Sequence, residues 1–208
     1  MKFRCRLAGM SDVPKVAHIH VAAFSNFFLT QLGFKFLCVM YRAFLCSEKC
    51  IFVVAESANG QLAGFAVGVL MGQKDRSLAI RFFPQFLVAV VPAVLRHPVT
   101  VVRRLCMRFL DEGESPAVPA NAVVLRSIGV LPTKLGSGAA AELLKTFEAL
   151  ALIKGAQNVY LTTDELNNER AQRFYTRGGY AIVSRFQQGR KRWMWLMSKN
   201  LKEQACEC

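Results

Sequence analysis

The sequence is poor in acidic residues and in histidine. Its 208 residues include 14 Asp and Glu against 27 Lys and Arg, so the formal net charge is +13, and only three His are present. This balance favours polyanionic ligands: phosphorylated cofactors, nucleotide-linked substrates, nucleic acid or an anionic membrane surface. The three His are scattered without the spacing of metal ligands, so we expect no metal site.

Cysteine motifs and long apolar runs are missing as well. The seven Cys include no Cys-x-x-Cys, which favours free thiols in a reducing, cytoplasmic compartment. The N-terminus lacks the apolar block of a secretory signal. The apolar stretch after Arg81 is interrupted by Pro84 and Pro92 and is shorter than the roughly 18 to 20 residues of a spanning helix. We expect one cytoplasmic domain over residues 1 to 200 and a tail over 201 to 208.

A strand, a glycine turn and a helix make the most informative stretch. The apolar run of residues 123 to 130 predicts a strand, Pro132 ends it, and Gly136 and Gly138 open a helical pattern reaching about Ile153. Glycines let the backbone approach a ligand, and unpaired N–H groups at a helix start bind phosphate oxygens. An ordinary strand-to-helix turn gives the same pattern. The Lys of a P-loop and the third Gly of a dinucleotide motif are absent.

A second segment, about thirty residues later, carries a family resemblance together with the turn. Residues 167 to 180 contain Asn-Asn-x-x-Ala-x-x-Phe-Tyr-x-x-x-Gly-Tyr, and residues 130 to 140 contain Val-Leu-Pro followed by Leu-Gly-Ser-Gly-Ala-Ala. These two segments resemble the acetyl-CoA-binding motif and the next motif of the GCN5-related N-acetyltransferase (GNAT) superfamily, in the expected order and at the expected distance. The resemblance covers residues 120 to 198 well and the first 70 residues more loosely.

The resemblance implies a fold, a cofactor and a reaction. The implied α+β fold has a central mixed, mostly antiparallel sheet flanked by helices, and its fourth and fifth strands splay apart to admit pantetheine. Acetyl-CoA is the implied co-substrate, and an acetyl group passes directly to a primary amine without a metal. Residues 72 to 120 exceed a minimal member of the family and predict a helical insertion between the third and fourth strands.

The resemblance also implies roles for individual residues. The backbone of Ile128, Gly129 and Val130 would pair with pantetheine. Asn168 would hydrogen-bond the cofactor arm, and the Tyr175 hydroxyl would protonate the leaving sulfur. The pyrophosphate would bind the loop residues Leu135, Gly136, Ser137, Gly138, Ala139 and Ala140.

Three of these assignments have alternatives. Leu135 stands where the family has Arg or Gln, so backbone amides would bind the pyrophosphate, with neighbouring Lys134 either adding charge or simply solvated. Tyr175 would also suit the core face of a helix. Asn168 would equally serve as a helix N-cap, since Asn is a preferred capping residue.

The sequence does not fix the general base. Many members of the family place a Glu on the central strand, but residues 124 to 127 contain none. Glu56, Asp164 and Glu165 are candidates, and a reaction without a dedicated base is another. Each carboxylate also suits an ordinary solvated position at the end of a strand or helix.

The acceptor is also left open. Residues 23 to 31 correspond to the loop that commonly lines the acceptor site in the family. A basic hairpin cluster would suit a phosphate-bearing acceptor such as a nucleotide-linked amino sugar, or would be merely solvated; it comprises Arg185, Arg190, Lys191 and Arg192. Protein or peptide amines are another acceptor class, and a catalytically degenerate acyl-CoA-binding sensor is a rival function.

The insertion has its own alternatives. Its basic, apolar pattern fits an extra helical layer, a homodimer contact or an amphipathic surface on an anionic membrane. A nucleic-acid partner is not expected, because no nucleic-acid-binding motif is present. We predict insertion helices from about residue 80 and from Pro98 to Leu110, and a helix from Thr30 to Cys46 before the insertion. Gly64 and Gly68 indicate a bulge, a close ligand or an edge strand.

Overall fold

The computed structural model describes residues 3 to 25, 27 to 72, 76 to 96, 98, 117 to 189 and 192 to 202. The strands are β1 (Arg4–Leu7), β2 (Cys50–Glu56), β3 (Leu62–Leu70), β4 (Ala122–Val130), β5 (Asn158–Asp164), β6 (Ala181–Gln188) and β7 (Arg192–Asn200). The α-helices of these residues are α1 (Val13–Ala23), α2 (Phe28–Gln31), α3 (Phe34–Leu45), α4 (Arg76–Arg96), α5 (Ala139–Ile153) and α6 (Glu169–Arg177).

All seven strands form one sheet, in the spatial order β1-β2-β3-β4-β5-β7-β6. Every neighbouring pair is antiparallel except β4 and β5, which are parallel. The predicted mixed, mostly antiparallel α+β fold is thereby confirmed. The parallel pair follows from the chain order, because a helix, α5, connects the two strands and returns the chain to the same end of the sheet.

The middle of the sheet is covered on both faces. One face packs against α5 through a core that includes Leu143 and Phe147. The other packs against α1 and α3 through a core that includes Val16, Leu37 and Tyr41. Because both faces are covered, β2 and β3 are continuous apolar runs instead of alternating patterns.

Gly64 and Gly68 allow α5 to lie close to β3. A Cβ atom on Gly64 would come within 2.9 Å of the Leu143 side chain, and one on Gly68 within 2.6 Å of the Val124 carbonyl and against the Phe147 ring. The edge-strand interpretation is wrong, because β3 lies between β2 and β4. The close neighbours of both glycines are side chains of α5 and the backbone of β4. The bulge interpretation also holds, because the register between β3 and β4 shifts at Gly68.

The segment before β2 differs from the prediction. A single helix from Thr30 to Cys46 was expected, but α2 ends at Gln31 and α3 begins at Phe34. Gly33 lies between them with a φ of 95°, a left-handed conformation that cannot continue a right-handed helix. The break turns α2 out of line with α3 and sets it beside α4.

The insertion begins with one continuous helix. Pro84 and Pro92 both lie inside α4, so neither begins a helix. Each proline removes an N–H donor and crowds the preceding turn, and packing of Phe82, Ala89 and Ala93 in the interior offsets that cost. The predicted helix from Pro98 to Leu110 lies outside the described residues. Within the described part of the chain, no helix is both long and apolar enough to cross a bilayer.

A buried ion pair connects α5 to the last two strands. The Lys199 ammonium on β7 donates to the Glu148 carboxylate at 2.7 Å, and the Tyr180 hydroxyl donates to the same carboxylate at 2.9 Å. All three side chains are buried. Because each polar group in the trio has a partner, the pair avoids the cost of an isolated buried charge.

Replacement of Gly68 by Ala tests the close packing of α5 on β3. We expect Gly68→Ala to lower the free energy of unfolding by about 1–3 kcal/mol, because the new methyl group overlaps the Phe147 ring and a backbone carbonyl. Gly9→Ala is the matched control, since a Cβ there would meet nothing closer than 3.9 Å. Urea denaturation of both variants measures the difference, and equal stabilities would contradict this account of β3.

Candidate active site

β4 and β5 are paired over only part of their lengths. The parallel ladder joins residues 122 to 124 to residues 158 to 160 and stops there. Beyond the ladder, β4 continues to Val130 beside β3, and β5 continues to Asp164 beside β7. The facing edges of the two strands therefore present backbone N–H and C=O groups that a ligand can pair with. The predicted pantetheine-binding residues lie on this stretch of β4: Ile128, Gly129 and Val130. Alternate residues of a strand turn their N–H and C=O groups to opposite edges, and the Leu131 N–H donates to Ala63 of β3. The backbone groups of Ile128 and Val130 therefore face the opening, and those of Gly129 face β3.

A β-bulge begins the open edge of β4. The register against β3 shifts by one residue between Leu125 and Ser127, which makes Arg126 the extra residue. A bulge bends its strand and increases the local twist. It lies two residues after Val124, the last β4 residue of the parallel ladder, so it marks the place where β4 parts from β5.

The loop between β4 and α5 presents a row of unpaired amides. Gly136 and Gly138 have φ angles of 78° and 91°, which favour glycine, and ideal Cβ atoms there would meet nothing within 4 Å. The N–H of Ser137 donates to the Lys134 carbonyl, but no described group accepts from the N–H of residues 136 or 138 to 141. Five amides at the positive end of the α5 dipole therefore form a site suited to phosphate oxygens.

Asn168 lies beyond β5, where α6 begins. It occupies the N-cap position, but its side chain does not cap the helix. Instead its amide nitrogen donates to the Thr163 hydroxyl at 2.7 Å, at the end of β5. No described group donates to its side-chain oxygen, so that oxygen can accept from a ligand. The N-cap alternative therefore applies to the backbone position and not to the side chain.

Tyr175 has the features that both of its alternatives require: a ring packed among core residues and a hydroxyl with a proton to donate. Its ring packs against the rings of Phe174 and Tyr180, with centroid distances of 5.2 and 5.8 Å. Its hydroxyl has no hydrogen-bond partner among the described residues. Burial raises the pKa of Tyr175 to about 12, so the phenol keeps its proton through the neutral range. The ring therefore packs against the core, and the hydroxyl keeps a proton that it can donate to a ligand.

The outer face of α6 forms a groove that the sequence analysis did not assign. This groove has a volume of about 520 Å³ and is lined by Glu169, Gln172, Arg173, Thr176 and Arg177. Arg173 and Arg177 lie one turn apart on this face and are exposed, and neither has an ion pair with a described residue. Their i, i+4 spacing in the sequence indicates that the two arginines share one helix face. Neither arginine is among the defining residues of the motif at residues 167 to 180.

Aromatic side chains line the α1 side of the open edge. A Cβ on Gly129 would lie 3.0 Å from the Phe24 ring and 2.9 Å from the Phe65 ring, so both rings lie against β4. Phe27 packs on Phe24 with a centroid distance of 5.3 Å and is about half exposed. The described residues of the segment from 23 to 31 thus reach the open edge. Asn26 of this segment lies outside the described residues.

A buried polar pair lies behind this aromatic wall. The Nδ1 atom of His20 is 2.6 Å from the Tyr41 hydroxyl, which also has a hydrogen bond with Ser127 on β4. Burial raises the pKa of Tyr41 well above its usual range, and it lowers the pKa of His20 to about 4. Both groups are therefore neutral near pH 7, and the pair is hydrogen-bonded to Ser127 of β4.

Comparison with known proteins agrees with this geometry. The model of the Acetyltransferase (GNAT) family matches residues 14 to 180. The chain belongs to the GNAT acetyltransferase family. It is therefore an acetyl-CoA-dependent acyltransferase, as the two motifs predicted. A search of curated proteins returned no significant match to the sequence.

Solved structures with the same fold include several acetyltransferases. A putative acetyltransferase from Salmonella typhimurium with acetyl-CoA bound has 15% identity and a TM-score of 0.61, over 96% of this chain and 94% of that one. The Escherichia coli ribosomal-protein-S18-alanine N-acetyltransferase has 14% identity and a TM-score of 0.59, over 96% and 94%. A chimeric Vibrio cholerae spermidine N-acetyltransferase has 13% identity and a TM-score of 0.64, over 98% of both chains.

The loop at residues 135 to 140 differs in one side chain from the motif that it resembles. Leu135, at the position of the family's Arg or Gln, is about half exposed and offers no charge. The Lys134 side chain has no ion pair with a described residue, and its carbonyl accepts from the Ser137 hydroxyl at 2.6 Å. What the described residues of the loop offer to an anion is therefore their backbone amides.

All three candidate bases are held by arginines. Glu56 accepts from Arg6 at 2.9 Å, Asp164 accepts from Arg192 at 2.7 Å, and Glu165 accepts from Arg185 at 2.9 Å. Each of the three carboxylates is therefore already engaged by a cationic side chain. Among the described residues, no group of three or more His, Cys, Asp and Glu is arranged to hold a metal ion.

Substitution of Gly138 tests the amide loop. We expect Gly138→Ala to weaken acetyl-CoA binding at least about tenfold, because the loop must relax from its left-handed conformation and its amides turn away from the phosphates. Gly155→Ala is the matched control: Gly155 also has a positive φ, 82°, and an open Cβ position, but it follows the far end of α5. Isothermal titration of both variants gives the comparison, and equal losses of affinity would contradict the assignment.

Proposed function

We propose that the protein transfers the acetyl group of acetyl-CoA directly to a primary amine of a small molecule. The observation that carries this proposal is the open β4–β5 edge, which continues into a loop of five unpaired amides. An extended pantetheine arm can pair with such an edge as a strand does, while the amides bind the pyrophosphate. An amino group of an amino sugar or a nucleotide-linked sugar is the first acceptor class to test.

The mechanism we propose needs two contributions from the protein. The backbone N–H groups of Ile128 and Val130, which face the opening, polarise the thioester carbonyl, as an oxyanion hole does. The amine nitrogen then attacks the carbonyl carbon, and the bond between carbon and sulfur breaks. Tyr175 gives its proton to the departing thiolate and regains one from solvent. Burial raises the pKa of Tyr175 to about 12 and so keeps the phenol protonated at neutral pH, with a proton available for the sulfur. Because thiols ordinarily have a pKa of about 8.5, the transfer itself is uphill, and reprotonation of the tyrosinate by solvent completes it.

The proton lost by the amine goes to water in this proposal. The three candidate carboxylates are ion-paired, and His20 is buried with a lowered pKa. A dedicated base on β4 is absent from the sequence of residues 124 to 127. We therefore expect the acceptor to bind as a neutral amine, so that the rate rises with pH until the acceptor's own ammonium group has titrated.

The acceptor side of the opening supports a small molecule with an apolar part. Phe24 and Phe27 form an aromatic wall beside β4. The hairpin cluster supports a phosphate-bearing acceptor less than expected, because Arg185 and Arg192 are ion-paired with Glu165 and Asp164, and Arg190 and Lys191 lie outside the described residues. Among proteins of the same fold, one acts on spermidine and one on a ribosomal protein, so polyamines and peptides belong in the acceptor panel.

Acetyl-CoA consumption, measured as released thiol, tests the function. We expect turnover with an amino-sugar acceptor and a fall in kcat of about 10²–10⁴-fold in Tyr175→Phe, the usual contribution of a general acid. Since the pKa of Tyr175 is about 12, deprotonation of this residue should not reduce wild-type activity below about pH 10. Tyr180→Phe is the control, because it removes a structural hydroxyl that donates to Glu148 and should lower stability while leaving kcat unchanged.

Three results would contradict the proposal. Binding of acetyl-CoA without turnover on amino sugars, polyamines, amino acids or peptides would favour the acyl-CoA-binding sensor. An equal kcat in wild type and Tyr175→Phe would remove the acid role from Tyr175. Turnover confined to peptides would assign the protein to the protein acetyltransferases.

The α6 groove predicts a second cofactor contact. We propose that Arg173 and Arg177 bind the 3′-phosphate of CoA, because paired guanidinium groups bind phosphate through charge-assisted hydrogen bonds. Replacement of both by Ala should raise the KM for acetyl-CoA about tenfold. It should change the KM for acetyl-dephospho-CoA, which lacks that phosphate, much less. Arg170→Ala, which removes an exposed arginine of the same helix outside the groove, should change neither; an equal effect on both substrates would contradict the contact.

A further inference from the structure

Helix α4 has two apolar faces, of which only one is covered by residues that the structure describes. Its inner face includes Phe82, Ala89 and Ala93, which are all at least nine-tenths buried. This face packs against α2 and α3, where Ala93 contacts Leu32 and the Phe86 ring lies 5.2 Å from the Phe36 ring. The inner face accounts for the attachment of α4 to the domain and leaves the apolar residues of the opposite face unexplained.

The outer face is a continuous apolar stripe. Its large side chains recur at intervals of three, four and one residues, which places them along one side of a helix. Their exposed fractions are high: Ile80 74%, Phe83 59%, Leu87 52%, Val88 74%, Val91 49% and Leu95 78%. The exposed Pro84 and Pro92 lie on the same side. We call these eight residues the α4 stripe. Six large apolar side chains in one row form a contiguous patch of the kind that marks an interaction site.

Positive charge borders the α4 stripe. Arg81 and Arg96 are exposed and lie on the same flank of the helix, about 22 Å apart at a rise of about 1.5 Å per residue. Neither has an ion pair with a described residue, and α4 contains no acidic residue at all. In the sequence from Gly72 to Leu110, seven Lys and Arg stand against one Asp. The stripe is therefore bordered by charge of one sign.

We propose that the α4 stripe docks on the surface of an anionic lipid bilayer. The helix would lie in the plane of the membrane, with its outer apolar side chains among the acyl chains and Arg81 and Arg96 at the level of the lipid phosphates. A helix that spans the bilayer is not required. The covered inner face keeps α4 attached to α2 and α3, so the docked helix remains part of the domain.

Charge selects the membrane over a second copy of the chain. In an antiparallel pairing of two α4 helices, Arg81 of one copy would approach Arg96 of the other, and α4 supplies no carboxylate to compensate. Like charges that face each other across an interface are unfavourable. An anionic lipid surface instead gives each basic group a partner of opposite charge, and each contributes about 1 kcal/mol near such a surface.

Space for a lipid headgroup lies beside Arg96. A pocket of about 180 Å³ is formed by Pro92, Ala93 and Arg96 of α4 and by residues 31 to 33. The pocket lies on the flank of α4, between Pro92 of the α4 stripe and Ala93 of the inner face. A phosphate at this position would contact the Arg96 guanidinium while its acyl chain followed the stripe.

Co-sedimentation with lipid vesicles tests the proposal on the full chain. We expect the wild type to bind vesicles that contain phosphatidylglycerol at least about tenfold more tightly than vesicles of phosphatidylcholine alone, and to lose this preference at high salt. Leu87→Glu combined with Val88→Glu should weaken binding at least about tenfold. Replacement of Arg81 or Arg96 by Gln should weaken it about fivefold each, which corresponds to the loss of one basic group.

Two control variants distinguish binding through the α4 stripe from non-specific adsorption to vesicles. Ile153 is 79% exposed on α5, which packs on the opposite face of the sheet, and Ile153→Glu should leave vesicle binding unchanged. Lys145→Gln removes an exposed charge from the same helix and should also have little effect. A Phe83→Trp variant adds a fluorophore to the stripe, and we expect brominated lipids to quench it more strongly than they quench the wild-type tryptophans.

Each contrary outcome overturns the proposal. Absence of binding to anionic vesicles would do so, as would binding that Lys145→Gln weakens as much as the arginine substitutions do. Failure of brominated lipids to quench Phe83→Trp would show adhesion without insertion. Dimerisation in analytical ultracentrifugation that the double Glu variant abolishes would assign the α4 stripe to a second copy of the chain.

Discussion

β4 diverges from β5 while it stays paired with β3, and the rest of the structure depends on this divergence. A strand that loses one neighbour loses half of its ladder hydrogen bonds. The bulge at Arg126 produces the divergence, and the pairing of β4 with β3 continues to Val130. The opening is therefore held by the strands that remain paired on either side of it.

Two packing contacts stabilise the two halves of the divided sheet. On the β3 side, Gly64 and Gly68 let α5 approach the sheet closely, so α5 is anchored where its N-terminal amides face the opening. On the β5 side, Lys199 and Tyr180 both donate to Glu148 of α5. The same helix thus binds both halves. Its N-terminus is the proposed phosphate site, so stability and cofactor binding depend on one element.

Local patterns predicted the fold, and they supplied most of the residues of the proposed cofactor site. Gly136 and Gly138 were recognisable because a turn with positive φ needs glycine, and the second motif placed Asn168 and Tyr175 on the next helix. Contacts between distant residues could not be predicted. His20 meets Tyr41 only after α1 and α3 have packed together, and the reason for Gly68 is the Phe147 ring, 79 positions later in the chain. Gly33 ended a helix that apolar spacing alone would continue.

The most direct test of the account is to map the binding of acetyl-CoA onto the backbone amides by NMR with ¹⁵N-labelled protein. The account predicts that the largest chemical-shift changes occur at residues 128 to 130 and at the five amides of residues 136 and 138 to 141, which have no acceptor among the described residues. Smaller changes should follow along α6. If those amides were unaffected and the shifts clustered elsewhere, the opening between β4 and β5 would not be the cofactor site.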